Sequence, residues 1–298
     1  MEILNDLKEI KNSCIGLGFF DGLHLGHREL LSVLVKKAQN TNSKSVVISF
    51  KNSPAEKFFS DVKYINLRGE RENLINQMGV DYLIELDFDD NLVNITAENY
   101  LKNVLVKYFS PKLIISGFNH TFGKNKQGNS EFLKNNQSNY GYKYIQIEPV
   151  KFNDEIVSST YIKELLTKGN ISKANLMLAT PFTISGVVEK GNQIGRQISF
   201  PTANISYPKE KVIIPYGVYS VNVKYNFKTY KGMLNFGIKP TINRLDKKPV
   251  AEVHILGFNE DIYDEFIEIE ILNKIRDEQK FSSLDELKKQ IKKDIQAC

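Results

Sequence analysis

The apolar pattern of the chain changes once, near the Thr180-Pro181 dipeptide, and this change predicts two domains of different architecture. Before it, short apolar runs (residues 14–20, 45–50, 82–86 and 112–116) alternate with helical patterns (residues 28–39, 71–78 and 97–108). Such alternation indicates parallel strands with helices on both faces of the sheet. Ligands of these sheets bind beyond the carboxyl ends of the strands, so the segments that follow the apolar runs are the first places to look for a site.

After Pro181 the apolar residues follow a period of two, in runs at residues 217–223, 250–255 and 266–271 that Gly, Pro and Asn separate. This pattern is typical of antiparallel strands, and we expect a small barrel. A final helix begins with the capping-box pattern Ser283-Leu-Asp-Glu286. Four apolar residues share one face of that helix: Leu284, Leu287, Ile291 and Ile295. We therefore predict an α/β protein with a parallel-sheet domain over residues 1–182, followed by an antiparallel β-barrel with a C-terminal helix over residues 183–298.

Length and composition exclude several classes of protein. A chain of 298 residues can bury two cores, and 41% hydrophobic with 25% charged residues excludes a largely disordered protein. No apolar run approaches the roughly 18 residues of a membrane span, and the first residues lack a signal-peptide pattern. The two cysteines, Cys14 and Cys298, are too few for a disulfide framework. We expect a cytoplasmic protein that does not associate with membranes.

The net charge of +5 does not by itself indicate a nucleic-acid partner. The lysines are scattered and interleaved with Glu and Asp, which is typical of solvated helix faces. We expect small anionic molecules as partners rather than nucleic acid. The sequence makes no prediction of the oligomeric state.

The segment GLGFFDGLHLGH, residues 16–27, joins the first predicted strand to the first predicted helix. It is not the dinucleotide-binding pattern G-x-G-x-x-G, because Asp21 occupies the place of the third glycine. The next strand is also followed by Lys51, where that fold has an acidic residue. A dehydrogenase is therefore excluded.

The same segment places two imidazoles at the start of a helix. His24 and His27 are three residues apart and share a face, where free N–H groups and the helix dipole favour phosphate. Gly22 and Gly26 leave the backbone open to an anion. Zinc is the alternative ligand, but it needs a third protein ligand, and only His120, His254 and the two cysteines remain.

The second half contains one dense motif, GNQIGRQISFPTAN, at residues 191–204. Gly191 and Gly195 beside Arg196 suggest a phosphate-binding loop, although the chain contains no G-x-x-x-x-G-K-[ST] pattern. Thr202 and Asn204 offer hard oxygen ligands that suit Mg²⁺, while a turn at the intervening proline would explain the same residues structurally.

Glu252 lies on the alternating run at residues 250–255, on the face opposite Ala251, Val253 and Ile255. A carboxylate in that position is either a surface residue or a general base. Alternation alone does not separate the two interpretations.

The histidine segment resembles the G-x-F-D-G-x-H-x-G-H signature of the nucleotidyltransferase superfamily that includes FMN adenylyltransferases. SGFNHTFG (residues 116–123) with Gly128 is similar to the second loop of that family, and IVSSTYIK (residues 156–163) to its I-S-S-T-x-I-R motif. The resemblance implies that His24 and His27 bind ATP phosphates and stabilise charge as pyrophosphate leaves. It further implies ATP contacts by Gly16, Phe19, Asp21, Gly22, Gly26, Ser158, Ser159, Thr160 and Lys163, and flavin contacts by Asn119 and Phe122.

The second half resembles riboflavin kinase in its G-x-x-x-G-R-x-x-x-F-P-T-A-N run, in GVY (residues 217–219), in NFGIKPT (residues 235–241), in EVH (residues 252–254) and in RDEQKF (residues 276–281). The resemblance implies that Glu252 deprotonates the ribityl hydroxyl and that Thr202 and Asn204 contact Mg-ATP. It also places Gly191, Gly195 and Arg196 at ATP, and Arg276 at the flavin.

The order of the two halves matches the bacterial bifunctional riboflavin kinase/FAD synthetases. The implied activities are phosphorylation of riboflavin to FMN and adenylylation of FMN to FAD, with ATP and Mg²⁺ as cofactors. Two alternatives stay open: a chain that retains one activity, and a flavin-responsive regulatory or RNA-associated protein without turnover. Five positions depart from the family pattern, namely Asn52, Ser53, Lys163, Ser199 and Asp264, so adenylyl transfer in particular could be altered.

Overall fold

The computed structural model describes residues 1–191, 200–238 and 249–298 of the chain. The described residues form two compact units, Met1–Ser159 and Thr160–Cys298. Two helices that precede the change in apolar pattern belong to the second unit. The later one packs on the strands of that unit: the Asn175 side chain donates to Ile271 O at 2.8 Å and accepts from Phe182 N at 2.8 Å. The sequence-based boundary at residue 182 stays a prediction.

The first unit contains a six-stranded parallel sheet made of β1 (Glu2–Leu4), β2 (Ser13–Leu17), β3 (Lys44–Phe50), β4 (Tyr82–Leu86), β5 (Pro111–Gly117) and β6 (Lys143–Ile147). The strand order is β1-β4-β3-β2-β5-β6, and every pairing is parallel. From β2 the chain moves to one side through β3 and β4, and then returns to the other side with β5. The carboxyl ends of β2 and β5 therefore flank the switch point at which such sheets bind ligands.

Helices cover both faces of this sheet, because its strands bury apolar side chains on both sides. In β2, Ile15 and Leu17 pack into one core and Cys14 packs into the other. The helices are α1 (Leu25–Asn40), α2 (Arg68–Gln77), α3 (Asp90–Asn94), α4 (Ala97–Asn99), α5 (Lys107–Phe109), α6 (Ser130–Asn135) and α7 (Gln137–Tyr140). A π-helical segment, Tyr100–Val106, joins α4 to α5. The helix predicted over residues 97–108 is therefore present, but its central residues are π-helical instead of α-helical. A two-stranded ribbon, β7 (Lys151–Phe152) and β8 (Glu155–Ile156), ends the unit.

The second unit begins in α8 (Ser159–Thr167) and continues with α9 (Ile171–Leu178) and six antiparallel strands. The strands are β9 (Phe182–Val187), β10 (Ala203–Ser206), β11 (Gly217–Tyr225), β12 (Lys228–Ile238), β13 (Pro249–Ile255) and β14 (Phe266–Asp277), in the order β10-β13-β12-β11-β14-β9. A bridge between Glu189 and Asn204, with Glu189 N donating to Asn204 O at 2.8 Å, closes the sheet on itself. The predicted barrel is confirmed.

The last helix, α10 (Leu284–Gln296), follows its predicted cap with one change. Ser283 Oγ accepts from Glu286 N at 3.3 Å, but the Glu286 carboxylate accepts from Ser282 N at 3.1 Å instead of from the N–H of Ser283. Leu287, Ile291 and Ile295 pack against the barrel as predicted. Leu284, the first of the four residues predicted to share this face, is 58% exposed. A helical side chain covers the surface on the N-terminal side of its own α-carbon, and at the first residue of the helix that surface lies beyond the barrel contact.

None of the helices in the described parts of the chain has the length and apolar content to cross a bilayer.

Candidate active sites

The loop between β2 and α1, residues 18–24 (the β2–α1 loop), is tied to its surroundings at several points. Asp21 Oδ1 accepts from Ile65 N at 2.9 Å and from Asn66 N at 3.2 Å. Ser159 Oγ donates to Asp21 O at 2.8 Å. One oxygen of Asp21 therefore holds neighbouring backbone, and the hydroxyl of Ser159, another predicted ATP contact, holds the loop.

Three residues of this loop have left-handed backbone conformations, namely Phe20 (φ 61°), Gly22 (φ 84°) and Leu23 (φ 35°). Glycine adopts this conformation readily, whereas the conformation is strained for a residue with a Cβ. Phe20 and Leu23 are both buried in the core beneath α1, and this burial offsets the strain. The loop is thus a pre-shaped structure at the switch point of the sheet.

The two predicted histidines come together at the start of α1. His24 is the N-cap residue, and its Nδ1 accepts from His27 N at 3.4 Å. The two imidazole rings stack with centroids 3.7 Å apart and planes 17° apart. Both rings therefore lie beside the free N–H groups of the helix, where the dipole favours an anion.

Burial keeps both imidazoles neutral near pH 7. It lowers the pKa of His24 to about 4, and it lowers the pKa of His27 well below the ordinary value, with a further contribution from repulsion by His24. His27 Nδ1 is buried without a hydrogen-bond partner among the described residues. The pair can donate N–H groups to a phosphate, and the phosphate would in turn favour the charged imidazolium.

Gly16 and Gly26, two of the glycines predicted to contact ATP, are also required by the packing around this loop. A Cβ on Gly16 would lie 3.0 Å from the side chain of Leu34, so Gly16 allows α1 to approach the sheet. A Cβ on Gly26 would lie 3.3 Å from the His24 ring. Gly26 therefore leaves room for the stacked imidazoles.

The remaining predicted residues of the first site lie in different surroundings. Asn119 is exposed just beyond the carboxyl end of β5, at the switch point. Phe122 packs between Tyr100 and Phe132, with ring centroids 5.3 and 5.9 Å away, and is half-buried in the core. Ser158 precedes α8 in the first unit. Thr160 and Lys163 belong to the second unit.

In the second unit a cavity of about 650 Å³, here called the barrel cavity, lies between the strands and α10. Its walls combine apolar and polar side chains: Phe200, Thr202, Val218, Met233, Asn235, Glu252, His254, Arg276, Phe281, Leu287 and Ile291. Glu252 on β13 pairs in register with Asn204 on one side and Asn235 on the other. Ala251, Val253 and Ile255 are buried on the opposite face, which confirms the predicted alternation. The carboxylate of Glu252 thus faces a cavity.

Thr202 also lines a second, adjoining cavity of about 410 Å³, whose further walls include Val188, Phe258, Asn259, Asp261, Ile262 and Tyr263. Residues 258–263 were not predicted as a site, because a turn of mixed polar and aromatic residues carries no motif. The two cavities meet at Thr202. Val253 and Ile255 of β13 line the second cavity, whereas Glu252 and His254 line the barrel cavity, so the two cavities lie on opposite faces of that strand.

The predicted metal ligand Asn204 is buried, and its Oδ1 has no hydrogen-bond partner among the described residues. A Cβ on Gly191 would overlap the Asn204 amide, so only glycine fits there. A buried amide oxygen without a donor is an unsatisfied hard ligand, and it fits Mg²⁺. Gly195 and Arg196, predicted to contact ATP, lie outside the described residues.

Arg276 lies in the wall of the barrel cavity, and Asp294 of α10 holds it there. Arg276 Nε donates to both Asp294 carboxylate oxygens at 3.0 and 3.1 Å, and the Nη2–Oδ2 distance is 2.9 Å. The carboxylate of Asp294 is buried. The guanidinium is therefore held in place by the last helix.

Two of the departures from the family pattern have local explanations. Asp264 stands in place of a glycine with φ 65°, a conformation that Asp tolerates better than most residues, and its N–H donates to Val188 O at 3.0 Å. Ser53 caps the 3₁₀ turn Pro54–Lys57, and its Oγ accepts from Ala55 N at 3.2 Å. Ser199 lies outside the described residues.

A zinc site at the histidines would need a third ligand. Within residues 1–191, 200–238 and 249–298, no group of three or more His, Cys, Asp or Glu side chains is arranged to hold a metal ion.

Comparisons with known proteins agree with this division of the chain. A sequence model described as FAD synthetase matches residues 6–161, and one described as riboflavin kinase matches residues 178–298. Bifunctional riboflavin kinase/FMN adenylyltransferases are 37% identical in Buchnera aphidicola subsp. Schizaphis graminum, over 98% of this chain and 95% of that protein, and 35% identical in Escherichia coli K12, over 93% and 89%.

A solved structure, described as a macrolide-efflux protein from Streptococcus pneumoniae, superimposes with a TM-score of 0.90. It is 33% identical, and the match covers 99% of this chain and 98% of that one. That description concerns the streptococcal protein. The two sequence models and the near full-length relatives agree on one family for this chain, which belongs to the bifunctional riboflavin kinase/FMN adenylyltransferases.

Proposed function

We propose that the chain makes FAD in two ATP-dependent steps, phosphorylating riboflavin in the barrel cavity and adenylylating FMN at the β2–α1 loop. The observation that carries the proposal is the arrangement around Glu252. The carboxylate of Glu252 and the hydroxyl of Thr202 line the barrel cavity. Asn204, whose buried amide oxygen has no hydrogen-bond partner among the described residues, pairs in register with Glu252 on the neighbouring strand. In phosphoryl transfer to an alcohol a carboxylate can act as the base, and hydroxyl and amide oxygens can hold Mg²⁺.

In the kinase step, Glu252 accepts the proton of the ribityl hydroxyl while that oxygen attacks the γ-phosphorus of ATP, the bond from the γ-phosphorus to the bridging oxygen breaks, and ADP leaves. The apolar walls of the barrel cavity suit the flavin ring, with Arg276 in the same wall. The adjoining cavity suits the nucleotide, because the two cavities share Thr202. Thr202 Oγ and Asn204 Oδ1 would hold Mg²⁺, which neutralises phosphate charge when bound.

In the adenylyl-transfer step, a phosphate oxygen of FMN attacks the α-phosphorus of ATP, and pyrophosphate leaves. The step needs no covalent nucleophile from the protein, so positioning and charge stabilisation are the whole contribution. His24 and His27 donate N–H groups to the phosphates from the N-terminus of α1. Their neutral state before binding leaves them able to gain a proton as negative charge develops on the leaving group.

We further propose that residues 1–182 form the adenylyltransferase domain and residues 183–298 the kinase domain. The FAD synthetase model, residues 6–161, lies within the first of these domains, and the riboflavin kinase model, residues 178–298, covers the second and the five residues before it. Both cysteines are free thiols, which suits a reducing compartment, and we propose the cytoplasm.

The test supplies riboflavin or FMN with Mg-ATP and separates the flavins by chromatography. Glu252→Gln keeps the shape of the side chain but removes the base, so phosphorylation of riboflavin should fall by about 10²–10⁴ while FAD still forms from FMN. Glu268→Gln, on β14 of the same barrel, is the matched control and should phosphorylate riboflavin like the parent.

His27→Ala should give the opposite result, with FMN accumulating from riboflavin and little FAD following. If Glu252→Gln phosphorylates riboflavin at the parent rate, Glu252 is not the general base and is an ordinary surface residue of the barrel. A parent protein that converts neither flavin would support the regulatory alternative.

A further inference from the structure

A charged residue lies buried directly beneath the β2–α1 loop. Arg71 of α2 is only 2% exposed, and its Nη2 donates to Glu85 Oε1 at 2.6 Å and to Phe50 O at 2.8 Å. Glu85 is fully buried in β4, and Phe50 is the last residue of β3. Arg71 therefore joins two strands close to their carboxyl ends, at the edge of the sheet where the site lies.

The guanidinium of Arg71 also stacks on the β2–α1 loop. Its central carbon lies 4.4 Å from the centroid of the Phe19 ring. The backbone of Phe19 is held as well, because Ser49 Oγ donates to Phe19 O at 3.3 Å. Phe19 is thus fixed by its ring and by its carbonyl, five residues before the first histidine of the pair.

The need to neutralise the Glu85 carboxylate does not explain why Arg71 is buried beside it, because a second arginine already pairs with that carboxylate. Arg68 Nε donates to Glu85 Oε2 at 2.8 Å from a side chain that is 41% exposed. Burial alone would raise the pKa of Glu85, but hydrogen bonds from Arg71, Glu72 and Arg68 hold that pKa below its ordinary value. Buried ion pairs add little net stability compared with apolar side chains of similar size. Arg71 differs from Arg68 in two contacts: its guanidinium stacks on the Phe19 ring, and it donates a hydrogen bond to Phe50 O.

We propose that Arg71 is a positioning residue for adenylyl transfer: its guanidinium fixes Phe19 and thereby the β2–α1 loop that carries His24. The proposal rests on the proposed function of that loop. A planar guanidinium can lay its flat face on a ring and donate from its edge at the same time, whereas an ammonium group has no plane with which to stack. Displacement of a catalytic group by about 1 Å can cost roughly 10² in rate, so loss of the plane should be visible in turnover.

The test compares Arg71→Lys with Arg68→Lys in the full chain, since both changes keep a cation that can pair with Glu85. We expect Arg71→Lys to lower kcat for FAD formation from FMN by about 10-fold to 10²-fold. Arg68→Lys should stay within about twofold of the parent, because Arg68 does not take part in the stacking. Phosphorylation of riboflavin, measured in the same preparations, should be unchanged in both variants.

Phe19→Leu supplies a second and independent measurement, because it removes the ring and leaves Arg71 in place. It should lower kcat for FAD formation as much as Arg71→Lys does, and the double variant should be hardly slower than either single one, since the two residues act as a unit. Hydrogen exchange of β2 in each variant confirms that the first unit is folded.

Three outcomes would overturn the inference: a parent kcat in Arg71→Lys, equal losses in Arg71→Lys and Arg68→Lys, or fully additive losses in the double variant. A parent protein that makes no FAD from FMN would overturn the proposed function itself, and the role of Arg71 with it.

Discussion

Acid should destabilise the first unit through His24, and the size of the effect follows from its burial. The pKa of His24 is about 4 in the folded protein and about 6.5 in an unfolded chain. Between these values the unfolded state binds a proton that the folded state does not, so stability falls as the pH drops from 6.5 towards 4. The difference corresponds to about 2 kcal/mol at pH 5 and to about 3 kcal/mol at pH 4.

His24→Asn isolates this contribution, because Asn remains an effective N-cap for α1 but does not titrate. Hydrogen exchange of the peptide covering β2 measures the free energy of opening of the first unit alone. Between pH 7.5 and pH 5 the parent should lose about 2 kcal/mol more than His24→Asn. The peptide covering β12 is the internal control and should respond equally in both proteins. Equal losses at β2 would show that His24 is already protonated in the folded state, or that it is not desolvated.

Three further predictions concern other residues. Binding of ATP at the β2–α1 loop should take up protons near pH 6.5, because phosphate raises the pKa of both histidines; calorimetry in buffers of different ionisation enthalpy measures the uptake, and no uptake would contradict charge stabilisation by imidazolium. Gly191→Ala should lower riboflavin phosphorylation at least about 10-fold without affecting FAD formation from FMN, because the added Cβ overlaps the Asn204 amide. Riboflavin phosphorylation at the parent rate would contradict the role of Asn204 as a Mg²⁺ ligand. Phe227→Gly should stabilise the barrel by about 1 kcal/mol, because Phe227 is fully exposed with φ 60° at the β11–β12 turn; an unchanged or lower melting temperature would contradict the strain.

The strands of the first sheet could be predicted because buried parallel strands are continuous apolar runs. The run at residues 82–86 coincides with β4, the run at residues 45–50 starts one residue after β3 does, and the run at residues 112–116 is one residue shorter than β5 at each end. The first strand was predicted to reach Phe20, but β2 ends at Leu17. The two phenylalanines that follow are apolar yet belong to a loop with left-handed backbone, which hydrophobicity does not reveal.

The candidate site shows the same limit. His24 and His27 could be placed together because helix spacing fixes their relation. Arg71 and Asp294 could not be recognised, because each lies among charged residues on an amphipathic helix where a solvent-exposed position is the normal expectation. Only the tertiary fold shows that both side chains are buried against a partner.

The pairing of β9 with β14 determines the order in which the two halves can form during synthesis. Residues 182–187 of β9 have their ladder partner in residues 266–271, so this strand must wait until almost the whole chain has left the ribosome. The parallel sheet needs nothing beyond residue 147. The FAD-forming half can therefore assemble while the kinase half is still an open chain with unpaired strand edges. A premature stop before residue 266 would remove β14, the partner of β9 and β11 in the barrel, and spare every strand of the parallel sheet.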